Sequence, residues 1–184
     1  GLMIAALARC GRVLGQEAYV QAAERAARFA ATVLTAPEGR LLHRYRAGQA
    51  GLDGLLDDHA FLAWGYLELA QARPGQGWTG RALALAEALR ARFRHPGGGF
   101  HQAPETPSDG IPLLFRPLDL VDGAIPSGNS VAVHVFARLA RALDRPDLAQ
   151  EARDILGAFA ARIAAYPSAH AFALSGMLRL DEYT

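Results

Sequence analysis

Lysine is absent from the 184 residues, and all 19 basic side chains are arginines. No Schiff-base, pyridoxal-phosphate or P-loop lysine can come from within this sequence. Cysteine occurs once, as Cys10, so neither an internal disulfide nor a C-x-x-C redox pair can form. Cys10 follows the apolar run at 2–8 and reads as a small buried hydrophobe. No apolar stretch reaches the roughly 20 residues of a membrane span. The opening run has no basic residue ahead of it, as a signal peptide would require. These absences set the expectation of a cytoplasmic chain without membrane association. The net charge of +1 leaves no basic excess for a nucleic-acid surface. No histidine and acid spacing resembles H-E-x-x-H, so no metal and no cofactor are expected.

What is abundant is Ala, 38 times, and Leu, 26 times, both strong helix formers. Seven helical segments can be read, and two kinds alternate. Those at about 2–14, 58–72, 129–143 and 168–180 are apolar on nearly all sides. Those at 17–34, 79–93 and 147–163 are amphipathic; the last places Glu151, Arg153 and Asp154 on its wet side. An all-apolar helix must be covered on most sides, an amphipathic one on one side. The alternation therefore predicts an all-α fold: an α/α toroid of inner and outer helices paired as hairpins. The apolar starts recur after about 56 and then 71 residues, as in a repeat. Seven helices make only part of a closed ring. Residues 1–184 read as one partial toroid domain, and Gly1, already inside a helical pattern, suggests a fragment. Missing hairpins or a second copy would complete the ring.

The links differ by end. Those at 15–16, 73–78 and 144–146 are short. Two links on the other side are long and β-like: 40–46 reads as a strand, and 97–101 with 111–116 as a second hairpin. Long links held by a rigid scaffold usually build the functional face. The inner-helix N-termini gather there, bringing three groups of polar residues: Asp57-Asp58-His59, the run from Asp122 to Ser130, and Ser168-Ala169-His170. Asp58, His59, Asp122 and His170 are the candidate acid and base groups, suited to proton transfer on two sides of a substrate carbon. Asp57, Ser127 and Asn129 are candidate ligand contacts. Tyr45 and Trp64 could floor a site for a sugar-like small molecule. Each has a plainer use. Asp and Ser cap helices, and one of the two adjacent aspartates suffices for a cap. His59 and His170 could be hydrogen-bonded structural histidines. His134 lies a turn deeper and reads as core, and His43, His95 and His101 lie in links and read as solvated.

The runs Gly1 to Ala8, Leu55 to Leu62 and, above all, Asp122-Gly123-Ala124-Ile125-Pro126-Ser127-Gly128-Asn129-Ser130-Val131-Ala132 resemble the YyaL-type, spermatogenesis-associated, thioredoxin-domain-containing proteins. The resemblance implies an (α/α)6 toroid preceded by a thioredoxin-like domain, with that domain and the first hairpins outside this chain. It also implies similarity to the N-acylglucosamine 2-epimerase and six-hairpin glycosidase group. It carries over Asp57, Asp58, Asp122, Ser127, Gly128 and Asn129, and lets His59 and His170 stand in for an epimerase's acid and base. The resemblance implies no established activity. Two readings follow: a binding or scaffold module of unknown ligand, or a carbohydrate-active enzyme. The enzyme would be an epimerase using His59 and His170, or a hydrolase using Asp58 and Asp122.

Overall fold

Apolar helices in this chain find neighbours on several sides, and amphipathic ones on one. In the computed structural model, described for residues 1–108, 110–111 and 113–181, eight α-helices carry the fold. They are α1 (Leu2–Leu14), α2 (Glu17–Val33), α3 (Leu56–Ala72), α4 (Trp78–Arg92), α5 (Gly128–Leu143), α6 (Pro146–Ala158), α7 (Ala160–Ala165) and α8 (Ala171–Asp181). The inner row runs α1, α3, α5, α8, and α2, α4 and α6 each fold back on the inner helix before them. The inner helices point the same way: Ile4 meets Gly65, Glu68 meets Arg138, and Leu56 meets Gly128. This is the expected two-layer α/α toroid, present as a part of the ring.

α3 and α5 are buried on nearly every side; Val131, Val133, Val135 and Phe136 have no exposed surface. Phe136 stacks on Phe100 with ring centres 5.6 Å apart, anchoring the 97–103 link to the core. α1 stands at one end of the row, and its outward stripe is open. Met3, Val13 and Leu14 are exposed there, and so is Cys10, contrary to its reading as a buried hydrophobe. No inner neighbour lies on that side of α1 among the described residues.

The segment at 147–163 is two helices rather than one. Gly157 weakens the last turn of α6, and Phe159 leaves helical geometry to bury its ring. α7 then stops at Tyr166, held extended by the following Pro167. A 3-10 turn, Pro167–His170, leads into α8, which begins at Ala171 rather than at 168. Glu151 is not on a wet face. It is buried at the seam of α4 and α6, 3.2 Å from Arg90 and 3.4 Å from Arg94.

In the long links, β1 (Leu42–Arg46) pairs antiparallel with β2 (Gln49–Asp53). Their two-residue turn, Ala47-Gly48, has positive φ at both positions, which matches the twist of a hairpin. The expected second hairpin is reduced to one bridge between Arg94 and Phe100. The described part of 111–116 runs as irregular chain, with the Arg116 carbonyl bonded to His101 and the Pro117 carbonyl to Gln102. No described helix is long and apolar enough to cross a membrane.

Candidate functional site

The face built by the N-termini of α3, α5 and α8 is held by side chains bonded to backbone. Ser127 caps α5: its Oγ accepts the Ser130 N–H at 3.1 Å. Gly128 follows, and no larger residue fits. A Cβ there would collide with Asp57 Oδ1 and lie 2.6 Å from Leu56 Cγ. Glycine is thus what lets the first turns of α3 and α5 touch. Asn129, with no exposed surface, accepts the Phe100 N–H at 2.8 Å and donates to the Phe100 and Asp119 carbonyls at 2.9 and 2.7 Å. Its amide splices two links together, and both its N–H groups are spent.

The two adjacent aspartates divide their work. Asp58 turns back to accept the Leu55 N–H at 2.8 Å, closing the first turn of α3. The same oxygen accepts a hydrogen bond from His43 Nδ1 at 2.8 Å. Asp57 instead faces α5. Burial raises its carboxyl above the ordinary value, opposed in part by hydrogen bonds from Gln102 and the Gly128 backbone. Its Oδ1 is buried without a well-aligned partner.

Asp122 ties the link to α8. One oxygen accepts the Ser127 N–H at 3.0 Å, and the other the Phe172 N–H at 2.8 Å. Its own N–H bonds the Ala169 carbonyl. His170 is buried beside it, with Nδ1 3.1 Å from the Leu120 carbonyl; since a carbonyl only accepts, Nδ1 carries the proton. The same logic applies to His59, whose Nδ1 lies 2.8 Å from the Leu55 carbonyl. The other nitrogen of His59, Nε2, is buried without a partner, and its ring rests on the edge of Phe93. Burial lowers the pKa of His59, so the ring is neutral.

These groups do not converge. Asp58 lines a 280 Å³ cleft between α1, α2 and α3, together with His43 and Phe61. His59 turns to the outer layer, under a 420 Å³ cleft with Arg40 and Arg92. Asp122 borders a third cleft of 310 Å³, beside Phe172 and Ser175. Tyr45 lies on the outer layer too, half exposed, its ring edge-on to Phe29 of α2. Trp64 faces the inner wall. Its Nε1 donates to Glu68 at 3.2 Å, and its ring lies 5.2 Å from that of Phe172. Glu68 is in turn paired with Arg138 at 2.7 Å. No group of three or more His, Cys, Asp or Glu among the described residues is arranged to hold a metal ion.

All three histidines read as solvated have partners; His95 Nδ1 accepts the Gly97 N–H at 3.0 Å. His43 joins Asp58, and His101 Nδ1 donates to the Arg116 carbonyl at 2.8 Å. His134 is core as expected: it bonds the Phe172 carbonyl at 2.8 Å and stacks on the Phe172 ring. Sequence spacing could not expose the His43–Asp58 pair, because the hairpin register brings it together across 15 residues.

No family model matches the chain. It is 33% identical over 180 residues to spermatogenesis-associated protein 20 of Rattus norvegicus and 31% identical over 179 to that of Homo sapiens. Each alignment covers 92% of this chain but 22% of the relative, so the chain spans about a fifth of these proteins. Among solved structures it is similar to cellobiose 2-epimerase from Spirochaeta thermophila, with a TM-score of 0.67 and 19% identity. That likeness covers 86% of this chain and 42% of the epimerase, and it concerns the fold. The chain is thus similar in sequence to a stretch of spermatogenesis-associated protein 20, and its α/α toroid fold is similar to part of the cellobiose 2-epimerase.

Proposed function

We propose that this toroid segment is a binding module, presenting its inner wall around Trp64 to a sugar-like small molecule. One observation carries the reading: Asp58, His59 and Asp122 border three separate clefts, while His170 is bonded to the Leu120 carbonyl. Proton transfer at one carbon needs acid and base within hydrogen-bond reach of the same substrate. Here the carboxylates of Asp58 and Asp122 serve backbone N–H groups instead. The half-buried indole of Trp64, beside Phe172 and the Glu68–Arg138 pair, offers an apolar face flanked by charged hydrogen-bonding groups. Small-molecule sites combine those two features. The structural neighbour's name, a cellobiose 2-epimerase, fits the same ligand class.

The test is proton NMR of a panel of reducing sugars incubated with the protein in D2O, paired with tryptophan fluorescence titrations. The expected result is a saturable fluorescence change that Trp64→Phe abolishes, with no deuterium entering the sugar and no new anomeric signals. Deuterium at the carbon next to the carbonyl, lost in His170→Ala, would replace this reading with an epimerase. Hydrolysis lost in Asp58→Asn would replace it with a glycosidase.

A further inference from the structure

Among the described residues, the one histidine nitrogen buried without a hydrogen-bond partner is Nε2 of His59. Its Nδ1–H is spent on the Leu55 carbonyl, so Nε2 offers a lone pair and accepts only. A buried acceptor without a donor is costly and calls for a reason. The His59 ring lines the 420 Å³ cleft of the outer layer, between the 38–41 link, α4 and the 106–108 link. Small-molecule sites usually measure about 300–1,000 Å³.

The protein's own donors around this cleft are committed elsewhere. Arg40 is held by Glu38 at 2.7 Å and by Asp53, and the Ser108 N–H goes to Asp53 at 2.7 Å. Arg92 stands 3.7 Å from Asp53, outside hydrogen-bond distance, and lines the cleft beside His59. Burial keeps the His59 ring neutral, and the charge of Arg92 acts in the same direction. Two guanidinium groups thus face two carboxylates, Glu38 and Asp53, and an occupant needs no charge of its own. It needs a donor for Nε2 and an acceptor for Arg92, and a hydroxyl group is both. Leu41, Ala88 and Pro107 give the cleft an apolar wall for a carbon chain, and Thr106 adds a hydroxyl.

We propose that this outer cleft binds a small neutral polyol, one hydroxyl of which donates to His59 Nε2 and accepts from Arg92. The carbon chain lies along Leu41, Ala88 and Pro107. The site shares no residue with the inner wall around Trp64, and it stands or falls independently of the binding reading there.

Nitrogen-15 NMR of the histidine-labelled protein, titrated with sorbitol and myo-inositol, tests it. Succinate serves as the charged control without hydroxyl groups. The expected result is a saturable upfield shift of the His59 Nε2 resonance, as its lone pair accepts a hydrogen bond, with Nδ1 little changed. Arg92→Leu weakens binding about tenfold or more, the loss of one hydrogen bond from a charged donor. Arg92→Lys, which keeps a charged donor, weakens it less. Ala88→Leu fills the cleft from α4 and abolishes the shift, while Trp64→Phe leaves it unchanged. Thermal melts check that each variant keeps the fold. The proposal is overturned if neither polyol moves the Nε2 resonance, if Arg92→Leu binds as the parent does, or if succinate binds equally well.

Discussion

α5 and α1 are written in the same apolar alphabet, yet only one of them is covered. Val131, Val133, Val135 and Phe136 of α5 are fully buried, whereas Met3, Val13 and Leu14 of α1 are 69%, 67% and 63% exposed. The difference lies in neighbours: α5 packs against α3, α4, α6 and α8, α1 against α2 and α3. Composition states a demand for cover, and place in the row decides whether that demand is met. Burial converts to stability only where water is removed, so equal side chains carry unequal weight in the two helices.

The sharpest test sets the core of α5 against the open stripe of α1. Phe136→Ala leaves a cavity beside Phe100 and should cost about 3–5 kcal/mol in denaturant unfolding. Val13→Ala should change stability by no more than about 0.5 kcal/mol. Equal costs would mean that α1 is covered in solution.

A second contrast uses two glycines. Gly128→Ala drives a Cβ into Asp57 and Leu56, and overpacking of this kind costs about 1–3 kcal/mol. Gly157 has open space around its missing Cβ, so Gly157→Ala in α6 should stabilise by about 0.5–1 kcal/mol. Thermal melts of both variants give the signs, and a stabilising Gly128→Ala would refute the close approach of α3 and α5.

The third test concerns Asp57, whose carboxyl is held above its ordinary value by burial. A raised carboxyl favours the protonated form in the fold. Its contribution is therefore full below the ordinary aspartate value of 3.8 and is lost as pH rises through the raised one. Asp57→Asn removes the buried charge, so the variant should melt higher than the parent near neutrality. The gain should vanish in acid; a gain that persists there would assign the effect to something other than charge.

The smallest effect belongs to His59 and His134, both lowered by burial from the ordinary 6.5. Neutral histidine is favoured in the fold, so their contribution is full above that value and is lost as pH falls through the lowered ones. The unfolding midpoint should decline on acidification, and His59→Phe should flatten the decline. An unchanged pH profile would show that His59 takes up its proton as readily in the fold as in the unfolded chain, against the lowering by burial.

The alternation of apolar and amphipathic helices was legible because it follows from composition along single segments, as α3, α4 and α5 show. The Ser127 cap was legible for the same local reason. What escaped were features made by packing. Glu151 looks solvent-facing along its own helix, and only the approach of α4 buries it between Arg90 and Arg94. Asp58 meets His43 because Ala47-Gly48 turns the chain, a weak turn signal beside Asn-Gly or Asp-Gly. Asp122 reads equally well as a catalytic acid or as a backbone anchor until the Phe172 N–H is seen on it.

That Asp122 to Phe172 hydrogen bond spans 50 residues of chain. Contacts of such long sequence separation must wait for the intervening chain to be drawn in, and loop closure makes them slow to form. The α5–α6 hairpin, by contrast, can zip up from its own short connection. α8 should therefore dock only after the α5–α6 hairpin has formed, with Asp122 acting as its latch. Pulse-labelled amides in α8 would gain protection after those of α5, and shortening the latch to Asp122→Ala would widen that delay.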